Sequence, residues 1–102
     1  MKRRPHFNAL ITYHKTEDGG LVTPVSSGFR AFFKFPFEGE MYTASQTFPE
    51  TELAFPGDAV NAEVTLITAD TMIQKLYKGM DFEIADNSGM IGSGIITMVY
   101  PV

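Results

Sequence analysis

The stretch Gly28-Phe29-Arg30-Ala31-Phe32-Phe33-Lys34-Phe35 sets Phe29, Ala31, Phe33 and Phe35 on one side of an extended chain and Arg30, Phe32 and Lys34 on the other; Phe37 continues the first set. Successive side chains alternate across a strand, whereas a helix would scatter these residues around its axis. Aromatic side chains also pack well on a pleated surface. The stretch reads as a strand with one apolar face turned to a core.

Outward from it the same period recurs. Phe7, Ala9, Ile11 and Tyr13 oppose Asn8, Leu10, Thr12 and His14, and Glu17-Asp18-Gly19-Gly20 then forms a loop whose glycines can take positive φ. Residues 40–48 make a more polar run, read as a surface or edge strand. Phe55-Pro56-Gly57-Asp58 is a turn signal, since Pro pre-sets φ at the second position and Gly accepts positive φ at the third. Val60, Ala62, Val64 and Leu66 then alternate with Asn61, Glu63 and Thr65. Residues 80–85 and 91–100 flank Asp86-Asn87-Ser88-Gly89, a hairpin connection. Residues 71–78 suit either a short helical turn or a loop crossing the end of the sheet. About six strands and no long helix result, and a sheet of that kind must close or pair its edges as a barrel or sandwich.

A length of 102 residues accommodates one core, so residues 1–102 are expected to form a single domain, with 1–5 as a basic arm. Hydrophobic content of 44% and charged content of 20% exclude a disordered chain. With no cysteine there is neither a disulfide framework nor thiolate chemistry. Lys2-Arg3-Arg4 has the charge of a signal-peptide start, but no apolar core or small-residue cleavage site follows. No stretch approaches the ~18 apolar residues of a bilayer span. A cytoplasmic protein without a membrane partner is expected.

The formal net charge of −4 is unevenly spread. Residues 35–74 hold Glu38, Glu40, Glu50, Glu52, Asp58, Glu63 and Asp70 and no Lys or Arg, a segment that repels a phosphate backbone.

Catalytic patterns are sparse. His6 and His14, the only histidines, would lie roughly 26 Å apart on one strand, too far to share a metal ion. The pairs Glu38/Glu40 and Glu50/Glu52 could each put two carboxylates on one side of a strand, but nothing nearby supplies the apolar pocket that acid–base work needs. Gly92-Ser93-Gly94 lacks the nucleophile-elbow pattern, and its glycines fit close packing or a bulge. No phosphate-cradling Gly-x4-Gly-Lys-Ser/Thr loop is present. A non-enzymatic protein without cofactor or metal is expected.

Three blocks, in order, carry a resemblance. Asp18-Gly19-Gly20-Leu21-Val22-Thr23-Pro24 leads into the strand from Gly28; Pro56-Gly57-Asp58 precedes Val64-Thr65-Leu66-Ile67; Phe82-Glu83-Ile84 precedes Gly92-Ser93-Gly94-Ile95-Ile96. Together they resemble the third, C-terminal domain of translation elongation factor Tu, here without its GTPase domain, and cover nearly the whole chain. The resemblance implies a closed antiparallel six-stranded barrel in the all-β class. In that family the domain meets aminoacyl-tRNA, the GTPase domain and the nucleotide-exchange factor. The family's Arg-His before Thr-Pro falls on Leu21 and Val22, and the Arg of its last hairpin loop on Gly89, which removes the phosphate partners. Its GTPase-facing Gln falls on Phe32 and an Ala on Glu83, while Gly19 and Arg30 are kept. The resemblance thus points to Gly19, Arg30, Phe32 and Glu83 as partner-binding positions and to a protein partner linked to translation. RNA binding through Lys2, Arg3, Arg4 and Arg30 is the alternative. A homodimer is a further expectation, because a domain built for two neighbours exposes apolar surface when alone.

Overall fold

The computed structural model describes residues 5–36, 41–67 and 72–100. Lys2, Arg3, Arg4, Phe37, Glu38, Glu40, Asp70 and Thr71 lie outside these residues.

The strands are β1 (Phe7–Tyr13), β2 (Val25–Ser26), β3 (Phe29–Lys34), β4 (Met41–Thr47), β5 (Leu53–Ala54), β6 (Ala59–Leu66), β7 (Asp81–Asp86) and β8 (Gly89–Val99). Six of them close into an antiparallel barrel in the order β1-β6-β4-β3-β7-β8, sealed by pairing of β8 with β1, while β2 and β5 form a separate two-stranded flap. Closure leaves no unpaired barrel edge, which answers the requirement set by the strand-rich sequence.

Alternation decides what faces inward. Ala31 and Phe33 of β3 are buried, as are Phe7, Ala9, Ile11 and Tyr13 of β1 and Ala62, Val64 and Leu66 of β6. One end of the interior is aromatic. Phe82 stacks on Phe33 (4.8 Å) and on Phe35 (5.8 Å), and Phe7 meets Phe82 edge-on at 5.8 Å, the offset and edge geometries that aromatic quadrupoles favour. The other end holds Tyr13, Gln46 and Phe48. There the Tyr13 hydroxyl reaches past β6 to donate to Gln46 Oε1 on β4, and the Phe48 ring packs edge-on against Tyr13 at 6.4 Å. Gln46 is fully buried, and its Nε2 has no hydrogen-bond partner among the described residues.

One sequence expectation changes and one open alternative is resolved. The polar run 40–48 is not an edge strand: β4 lies between β3 and β6, with Ala44, Gln46 and Phe48 turned inward. Small and polar side chains concealed its alternation. The 71–78 connection contains a 3-10 turn over Met72–Lys75, and its Leu76 is buried in the core.

Turn chemistry follows the sequence more closely. In Phe55-Pro56-Gly57-Asp58, Asp58 N donates to Phe55 O (2.9 Å) and Gly57 takes φ 88°, the positive φ a type II turn requires at its third position. Gly57 N donates to Tyr13 O (3.1 Å) and Tyr13 N to Asp58 O (2.9 Å), tying the turn to the end of β1. In the last hairpin, Asp86 Oδ1 accepts from Ser88 N (2.8 Å) and Ser88 Oγ (2.7 Å); the Ser88 hydroxyl above all, helped by backbone donors, holds the carboxyl below its ordinary value against the opposing effect of burial. Close approach explains Gly92 and Gly94: a Cβ on Gly92 would lie 2.6 Å from Thr12 O, and one on Gly94 2.5 Å from the Phe82 ring.

Candidate functional site

Pairing registers determine which outward side chains become neighbours. Leu10 on β1 stands directly opposite Ile95 on β8, and Ile95 stands opposite Asp81 on β7. Two residues along, Lys34, Glu83, Ser93 and Thr12 follow one another across β3, β7, β8 and β1. These rows line an open groove of about 600 Å³ on the outer wall. Leu10 is 42% exposed and Ile95 50% exposed, and Met98, 43% exposed, lies farther along β8. Thus an aliphatic pair sits in a concavity framed by two carboxylates, one ammonium and two hydroxyls.

This frame suits binding better than bond-making. Ser93 has Glu83 opposite it, but no histidine lines the groove to act as the general base that activates a serine. Among the described residues no group of three or more His, Asp or Glu could hold a metal ion. The strongly displaced titration is elsewhere: burial pushes the Tyr13 hydroxyl well above its ordinary value, outweighing the opposing effect of its hydrogen bond with Gln46. That group is a core residue with no face on the groove.

The four expected partner-binding positions do not form one cluster. Glu83 is exposed and borders the groove. Phe32 is half-buried on the outer side of β3 between Thr43 and Ala85. Arg30 is exposed on the same side of β3, opposite Ser45. Gly19 caps the 3-10 turn Thr16–Asp18 at φ 83°, in the loop after β1. It therefore leaves from the rim where the antiparallel β3 begins, whereas Glu83 pairs with Lys34 at the end of β3.

Of the other sequence candidates, His6 and His14 flank β1 at its two ends. Leu66 N donates to His6 Nδ1 (2.9 Å), which gives that histidine a structural task. Glu50 and Glu52 belong to the turn before β5 rather than to a strand, and Glu50 accepts from Asn61 Nδ2 at 2.6 Å. They border a second, shallower hollow with Ser26, Ser27 and Phe48. Leu21 is buried, Val22 is 82% exposed, and Gly89 is exposed at φ 136°.

The groove's aliphatic pair escaped sequence reading. Sequence parity sets Leu10 on the side of its strand opposite the core face and gives Ile95 no face; their meeting depends on closure between the first and last barrel strands. No family model matches the chain. Among the described residues, no helix is long and apolar enough to cross a membrane.

Proposed function

We propose that this chain is a non-catalytic, cytoplasmic binding module whose outer β1–β8 wall receives a protein partner linked to translation. The observation that carries the binding role is the Leu10–Ile95 pair, two large aliphatic side chains left half in water on the β1–β8 side of a concave, charged-rimmed surface. Adjacent exposed apolar residues in a hollow are a usual mark of an interaction site. The link to translation rests on the three sequence blocks that resemble the C-terminal domain of elongation factor Tu. Loss of the family's basic residues at Leu21, Val22 and Gly89 favours a protein partner over tRNA.

Affinity capture from cell extract tests the reading. Tagged wild-type protein is expected to enrich translation factors or ribosomal proteins over a bead control, and Ile95→Glu is expected to lose them. Retention of the same proteins by Ile95→Glu removes the groove from the account. Absence of translation proteins from the wild-type eluate removes the link to translation.

A further inference from the structure

We infer that the groove takes an extended peptide segment of a partner protein, with an aliphatic or aromatic anchor over Leu10 and Ile95 and a lysine or arginine two residues away against Asp81. The inference rests on the binding role proposed above and names the chemistry of the partner.

Size restricts the occupant first. A hollow of about 600 Å³ falls within the range of small-ligand pockets, roughly 300–1,000 Å³, and receives a few side chains rather than the face of a folded domain. Its concavity also disfavours a second copy of this wall, since two hollows do not interlock.

Barrel closure restricts the mode. Backbone donors and acceptors of β1, β7 and β8 are engaged with strands on both sides, so a peptide cannot add as another strand. Recognition must come from side chains, and the groove offers an apolar contact and a charge.

Charge then selects the peptide. Lys34 stands opposite Glu83, whereas Asp81 stands opposite the aliphatic Ile95 and is bordered along the groove by Pro36. Among the described residues of the groove, Asp81 is therefore the carboxylate with no cation directly opposite it. The net charge of −4, and the lack of any Lys or Arg over residues 35–74, add a long-range field that attracts a basic segment. Directly opposed strand positions are roughly 5 Å apart, and alternate residues of an extended chain roughly 7 Å. An anchor centred between Leu10 and Ile95 thus puts Asp81 in reach of a long basic side chain two residues on.

Panning a random dodecapeptide phage library on the 102-residue chain tests this directly, followed by titration of the synthetic consensus peptide into isotopically labelled protein. The expected consensus has Lys or Arg two residues from an aliphatic or aromatic residue, and the peptide shifts the amide signals of Leu10, Asp81, Ser93 and Ile95. Asp81→Asn, at an exposed position, is expected to leave the spectrum folded and weaken binding about tenfold, with less effect at high salt. An acidic or uncharged consensus, shifts centred on the β2–β5 flap, or no enrichment overturns the inference. So do shifts of the groove signals on raising protein concentration alone, the sign of a second copy, or on adding tRNA. If peptides fail while capture of translation proteins still depends on Ile95, only the peptide inference falls and the binding role stands.

Discussion

The Phe82 ring lies against the backbone of Gly94, so closely that a methyl group on Gly94 would stand 2.5 Å from Phe82 Cζ. Phe82 is also stacked on Phe33 and Phe35, which prevents its ring from withdrawing without disturbing the aromatic half of the core. Gly94→Ala is therefore an overpacking substitution, expected to cost about 1–3 kcal/mol. Ser93→Ala, one residue away and outward, should stay within about 0.5 kcal/mol of wild type. Urea denaturation of the two variants provides the comparison; equal midpoints would mean that the ring accommodates the methyl group.

Tyr13 and Gln46 form a buried polar pair in which one amide nitrogen already lacks a partner among the described residues. Tyr13→Phe removes the partner of Gln46 Oε1 as well and is expected to cost roughly 1–3 kcal/mol. Combining it with Gln46→Met, similar in shape and apolar, should recover most of that loss, because no buried polar atom is then orphaned. Stability of the two variants, measured together, isolates the desolvation cost from simple packing.

The same tyrosine sets an alkaline limit. Its folded-state pKa is raised above the ordinary 10.0, so the fold holds the proton more tightly than the unfolded chain does. The stabilisation this represents is fully present below about pH 10 and declines as pH rises beyond it. Phenolate absorbance should show Tyr13 ionising only as the protein unfolds, with a flatter alkaline decline in Tyr13→Phe, Gln46→Met. Free titration of every tyrosine in folded protein would contradict this.

His6 accepts from Leu66 N just before β1 begins, taking the place of a ladder carbonyl. His6→Ala strands that partly buried amide and is expected to cost about 1–2 kcal/mol. His6→Asn should restore much of the loss, since its Oδ1 stands the same number of bonds from the backbone as Nδ1. Amide exchange at Leu66, fast in the first variant and slowed in the second, is the direct readout.

Leu10 and Ile95 make the opposite case. Being half in water, they contribute little to the fold, and the double variant Leu10→Ser, Ile95→Ser is expected to lose about 1 kcal/mol or less by thermal unfolding. A loss of several kcal/mol would show that the pair serves the fold instead of a partner.

Legibility in the sequence followed the strength of alternation. Phe29 to Phe35 and Val60 to Leu66 declared their faces because apolar and polar residues alternate cleanly, and Pro56-Gly57 declared its turn through φ. β4 did not, since its inward set contains Gln46, a residue whose burial makes sense only once Tyr13 is known to bond it across the barrel. Parity set Phe32 opposite the apolar face of β3 and did not decide its exposure; the neighbours that half-bury it come from other strands. The groove was least legible, because pairing registers between strands far apart in sequence create it.

The seam between β1 and β8 has a temporal consequence. Tyr100 Oη donates to Asn8 Oδ1 across 92 positions of chain, so β1 is synthesised well before the β8 it must meet. Without β8 the strand order β1-β6-β4-β3-β7 would leave two unpaired edges, and joining them requires a contact between strands far apart in sequence, which slows folding. Leu10 and Ile95 straddle that seam. Their groove exists only where β8 is paired with β1, so a partner that reads it engages molecules with a closed seam and passes over those in which the seam is open.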